Sequence, residues 1–244
     1  MRRLLVVAAL AGAGCGGNDD PPRADREAES EPAVTAPARE TPSLPPEGPI
    51  RGMGGQVRRR VQLRDAPGGR PLRTIGTRTD MRGPQILAIV ARRGRWFGVL
   101  HPSLPNSKAG WVSVDALRLL RERWEIVVDR SERRLHLRRD GKEVDAFPVA
   151  VGRPGSPTPV GRFAVTDRLV TKPGSPYGCC VLALSGRQTR LPPGWPGGDR
   201  LALHGTTTGV VGGAYSSGCV RIREAELRRL MDRIPVGTRV TVRA

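Results

Sequence analysis

His204 and Cys219 bracket the stretch HGTTTGVVGGAYSSGCVR, among glycines and small hydroxyl residues rather than core-forming apolar ones. A thiol is nucleophilic only as thiolate, and a neighbouring imidazole is the usual device for making one. The pair therefore reads first as a Cys–His active site, a nucleophile and its base. A lone cysteine is more often a small buried hydrophobe, but Ser217, Gly218 and Arg221 are poor core company for Cys219.

The other chemistry-bearing residues are few. The chain has three histidines and four cysteines, with no C-x-x-C pair, so no zinc site is expected and no metal is called for. Cys15, Cys179, Cys180 and Cys219 are too sparse for a disulfide framework. Cys179 and Cys180 are adjacent and so poor partners for each other; ahead of VLALSG they read as buried strand cysteines, and a bridge from either to Cys219 would block the proposed chemistry. His101, before Pro102, has no visible partner and reads as structural, while His136 between Leu135 and Leu137 reads as solvent-facing or satisfied on a strand.

The formal net charge is +18, unevenly spread. Residues 15–50 carry a net −5, leaving 51–244 at +21, nearly all of it arginine. Such a surface attracts polyanions. Nucleic acid is disfavoured by an export signal and by the lack of a recognition helix or an aromatic-and-basic RNA motif. Anionic cell-wall polymers or phospholipid headgroups fit better, and a GC-rich coding bias toward arginine accounts for the charge equally well.

The elements that must position the pair come late in the chain. MRRLLVVAALAGAGC has a basic start and an apolar run too short to span a bilayer, as in a secretory signal. Its end, Gly12-Ala13-Gly14-Cys15, resembles the lipobox of bacterial lipoproteins, with Gly12 where an aliphatic residue is usual. That resemblance implies lipidation at Cys15 and a membrane anchor outside the cytoplasm; ordinary cleavage nearby would leave a soluble exported protein. Residues 16–52 are Pro-, Ala- and acid-rich and read as a disordered linker. Residues 53–120 read as short strands punctuated by Gly, Pro and Asp, forming a small β-barrel. QLRDAPGG, GRWFGVL and GWV resemble a bacterial SH3-like domain, with Trp96 and Trp111 expected to pack. From 124 to 244 more strands follow, with a hairpin signal at Asp140-Gly141. Leu227, Leu230, Met231 and Ile234 mark one amphipathic helix ending at Pro235. The fold class is mainly β with this late helix.

Separated pieces of 124–244 resemble the L,D-transpeptidase (YkuD) catalytic domain: IVVDRSERRLHLRRDGK, TPVGRF, His204-Gly205, GAYSSGCVR and PVGTRVTV. Ser217 departs from the pattern, since the family commonly has histidine before the Gly-Cys pair. Arg221 matches the branch with arginine two residues after the cysteine. The resemblance implies a cofactor-free enzyme acting on peptidoglycan stem peptides and forming 3→3 cross-links between them. Cys219 would attack the amide carbonyl, with His204 as general base and then acid. Gly205 would permit a tight backbone path beside the imidazole. Gly218 would let backbone N–H groups near 218 and 219 face an oxyanion. Arg221 would hold a carboxylate; Ser216 and Ser217 would support, and Tyr215 would line the cleft or pack. Transfer to water would make the enzyme an L,D-carboxypeptidase. A reading of another class is a non-catalytic wall-binding lipoprotein.

Overall fold

Two eight-stranded sheets organise the chain, which we describe from a computed structural model covering residues 44–244. The stretch read as a signal ending at Cys15, and most of the stretch read as a linker, lie outside the described residues. Residues 44–244 form one compact unit.

The first sheet is antiparallel and runs, edge to edge, Pro71–Ile75, Val61–Arg64, Gly110–Ser113, Trp96–Leu100, Ile86–Arg93, Met53–Val57 and Leu117–Arg121. Its core is Leu63, Leu87, Ile89, Phe97, Val99 and Val112. Trp111 is buried and Trp96 half-buried, and Arg93 and Arg64 lie over their rings at 5.4 and 5.7 Å. The ordered sheet begins earlier than composition suggests. Gly48–Pro49 pairs with Ile86–Arg93 inside the stretch read as linker, and Ile50 is buried. The cause is tertiary: Ile50 N–H donates to Val90 O at 3.0 Å, so the chain is held by a strand far away in sequence.

The second sheet runs Lys142–Pro148, Arg134–Arg139, Trp124–Asp129, Arg239–Arg243, Gly161–Val170, Cys180–Arg187, Arg200–Gly205 and Val220–Ile222. Asp140 and Gly141 both have positive φ, 50° and 80°, and close a two-residue hairpin whose twist matches its strands. The helix Glu224–Arg233 turns Leu227 and Leu230 into the core, with Ile234 at its end also fully buried. The two sheets are tied by hydrogen bonds. The Asn106 amide brackets the Arg187 backbone at 2.7 and 2.8 Å, and Arg162 N–H donates to Ser107 Oγ at 2.9 Å.

Two expectations change here, one for a cysteine pair and one for a histidine. Cys180 is a buried strand cysteine as expected, but it is bonded to Cys179, against the expectation that adjacent cysteines are poor partners. They sit where the segment 171–179 turns into the strand Cys180–Arg187, and that turn brings the neighbouring side chains together. Cys219 is the free cysteine among the described residues. His101 does have a partner: its Nδ1 accepts the Ser103 N–H at 3.1 Å and lies 2.7 Å from Ser103 Oγ. Burial first, then the nearby Arg200 and Arg73 charges, lower its pKa to about 4.

Candidate active site

Strand register brings the singled-out residues to one face. Val220–Ile222 lies parallel to Arg200–Gly205, with Leu203 opposite Val220 and His204 opposite Arg221. Side chains alternate along a strand, so Ala202, His204, Cys219 and Arg221 share a face. All four line a cleft of about 470 Å³.

The imidazole is fixed by its own strand. His204 Nδ1 donates to the Gly205 carbonyl at 2.7 Å, which leaves the Nε2 lone pair free to accept a proton. Tyr177 meets the ring edge-on, with centroids 5.0 Å apart. Gly205 makes that approach feasible: a Cβ there would stand 3.0 Å from Gly178 Cα and 3.1 Å from Tyr177 O. Burial lowers the His204 pKa to about 4; the Gly205 hydrogen bond opposes this and the Arg221 charge reinforces it. Burial pushes the Cys219 thiol up, against the Ala202 backbone N–H and Arg221, which favour thiolate. Both shifts favour the neutral forms, an imidazole and a thiol, and the Cys219 Sγ lies 3.9 Å from the Arg200 carbonyl oxygen.

The loop before Cys219 is braced from within. Ser216 is buried; its Oγ donates to Cys219 O at 2.6 Å and accepts the Gly218 N–H at 3.1 Å. That bond occupies the Gly218 N–H, one of the two donors expected for an oxyanion. The Cys219 N–H has no protein acceptor among the described residues and is the donor left for that task. Gly218 has φ +119°, open essentially to glycine alone. A short parallel pairing of Val151–Gly152 with Ala214–Ser216 carries this loop.

Arg221 is half-buried, and its Nε is buried without a partner. Its guanidinium lies 5.9 Å from the Tyr215 ring centroid, and Tyr215 OH donates to Val210 O. Tyr215 thus backs Arg221 from behind and does not line the cleft. Ser217 does line it. Sequence reasoning missed Tyr177, Leu191, Trp195 and Met81, which form the cleft's apolar wall, and Arg200. Tyr177, Leu191, Trp195 and Met81 are exposed large apolar groups. The signal available for two of them was a bulky residue in each Pro/Gly-rich loop, PYGCC and PPGWPGG.

A sequence model of the L,D-transpeptidase catalytic domain (YkuD) matches residues 123–242. The YkuD protein of Bacillus licheniformis, which bears a provisional L,D-transpeptidase name, is 31% identical over 120 residues, covering 49% of this chain and 65% of that protein. YqjB of Bacillus subtilis, named in the same provisional way, is 31% identical over 129 residues, covering 48% of this chain and 69% of that one. The match thus spans about two thirds of these relatives. An L,D-transpeptidase structure from Mycobacterium smegmatis aligns with TM-score 0.41 at 20% identity, over 70% of this chain and 89% of that one.

Proposed function

This chain belongs to the L,D-transpeptidase (YkuD) family, and from that premise we propose that it is a cysteine acyltransferase forming 3→3 cross-links in peptidoglycan. The observation that supports the reading most is the joint presence, in one cleft, of a free thiol and an imidazole whose Nδ1 is tied to Gly205 O.

Each step follows from a group already placed. A stem peptide enters with its scissile carbonyl at Cys219. The His204 Nε2 takes the thiol proton as the sulfur attacks, so thiolate forms only as the carbon–sulfur bond does. The oxyanion develops beside the Cys219 N–H, a donor that needs no reorganisation. The imidazolium then protonates the leaving amine of the terminal D-Ala, leaving a thioester. His204, neutral again, deprotonates the amine of a second stem, whose attack expels the thiolate. The amide bond exchanged supplies the energy. Arg221, which lines the cleft, offers a substrate carboxylate a charged guanidinium. Tyr177, Leu191 and Trp195 cover apolar parts of the stem and limit access of water.

The signal ending at Cys15 supports export and a lipid anchor, with the acidic segment behind it as tether. The antiparallel first sheet supports the SH3-like reading, and hydrogen bonds from Asn106 and Ser107 tie it to the catalytic sheet.

Intact-mass spectrometry after rapid acid quench tests the thioester. The chain mixed with disaccharide-tetrapeptide gains the mass of the acyl group on the Cys219 peptide. The Cys219→Ala variant gains none. An adduct on another residue would overturn the assignment.

A further inference from the structure

We propose that Gln188, beyond the Cys–His pair itself, is a positioning residue for the Cys219 nucleophile, an inference that rests on the reading above. Gln188 follows the strand Cys180–Arg187 and is 6% exposed. Its side-chain Nε2 lies 3.0 Å from Pro157 O, 3.1 Å from Ser217 O and 3.2 Å from Ser156 O. Its Oε1 accepts the Arg190 N–H at 3.0 Å, and its backbone N–H donates to Asp199 O at 2.7 Å. One buried amide thus reaches carbonyls of two loops and an N–H of its own, which meets the hydrogen-bonding need of a buried polar group and ties the three segments together.

The consequence falls on one peptide plane. The Ser217–Gly218 peptide has its carbonyl held by Gln188 Nε2 and its N–H held by Ser216 Oγ at 3.1 Å. A plane gripped on both edges cannot rotate. The next plane, Gly218–Cys219, carries the N–H left for the oxyanion, and the sulfur follows it. The amide also packs directly on Gly218: a Cβ built there would lie 2.1 Å from Nε2. Ser156 and Pro157 join the same clamp, and they precede Thr158, whose Oγ1 accepts the Gly152 N–H at 2.9 Å. Gln188 therefore links the loop 153–158, the loop 188–199 and the turn 216–219. Gln188 also borders the cleft, but its side-chain polar atoms are taken up by these backbone groups, so it acts through Cys219.

Two variants of the full chain test this. Gln188→Met keeps the volume and loses every side-chain hydrogen bond. Gln188→Glu keeps the shape, but its carboxylate faces three carbonyl oxygens until it is protonated. Misplacing a reacting group by about 1 Å costs on the order of 100-fold. Gln188→Met is expected to lower kcat by that order with KM within about threefold. Gln188→Glu is expected to lose kcat at pH 7 and recover part of it on acidification, a signature that simple loosening of the loops does not produce. Cys219 alkylation by iodoacetamide, which needs no substrate, is expected to change its pH profile in both variants. Should the Met variant not fold, the Glu variant decides. A folded variant with wild-type kcat and an unchanged alkylation profile would overturn the proposal. Wild-type chain that alkylates normally but turns over no stem peptide would count against the acyltransfer reading, while the alkylation arm still judges the clamp.

Discussion

Acidification separates a buried neutral base from an ordinary one. His204 holds a pKa of about 4 instead of 6.5 because burial penalises the imidazolium, with the Gly205 hydrogen bond opposing and Arg221 reinforcing. The depression corresponds to ~3.4 kcal/mol against protonation. At about pH 5.5 an unperturbed imidazole would be roughly 9% neutral, whereas this one is about 97% neutral. The acid limb of kcat/KM is therefore expected near pH 4, with activity at 5.5 about ten times what an ordinary histidine would allow. Tyr177 supplies part of the burial, its ring edge standing 5.0 Å from the imidazole. Tyr177→Ala admits water there and should move the limb up toward 6.5. The assay is the release of D-Ala from tetrapeptide across pH 3.5–8, in both proteins. A wild-type limb between 6 and 7 would refute the buried neutral base. A limb that Tyr177→Ala leaves in place would refute the cause assigned to it. Stability carries the same signature. Between pH 6.5 and 4 the unfolded chain takes up a proton at this residue and the native chain does not, so the contribution is lost as pH falls through that window and nothing changes above it.

Two further substitutions test the framework around the pair. Gly218→Ala places a Cβ 2.1 Å from the Gln188 amide at φ +119°, so activity should fall by at least two orders of magnitude, with a measurable loss in the thermal midpoint. Wild-type turnover in that variant would contradict the braced-loop geometry. Leu227→Ala truncates a fully buried helix residue and should cost about 2–5 kcal/mol in urea unfolding. A loss under ~1 kcal/mol would mean that the helix does not pack on the sheet as described.

How much of this was legible in the sequence depended on range. The helix was, because Leu227, Leu230 and Ile234 repeat with a local period and all are buried. The Asp140-Gly141 hairpin was, because two residues encode its turn. His204 and Cys219 stood out by their company alone. The parts that fix them did not. Gln188 is surrounded by no motif, and its partners lie 29–32 residues away for the carbonyls it binds. Tyr177 reaches His204 only through the close approach of Gly178 and Gly205. The Cys179–Cys180 bridge depends on a local backbone turn that adjacency argues against. Ile50 was lost to the linker because its composition is that of its neighbours and its strand partner is Val90's strand.

The proposed reaction has Cys219, with His204 as base, transfer a stem-peptide acyl group to an amine. The direct measurement is to incubate the protein with purified disaccharide-tetrapeptide and identify products by mass spectrometry, with Cys219→Ala alongside. Transpeptidation gives a cross-linked dimer lacking one D-Ala, which is expected with the wild type and absent from the variant. Tripeptide alone would make the enzyme a carboxypeptidase, and dimer formed equally by Cys219→Ala would rule out Cys219 as the nucleophile.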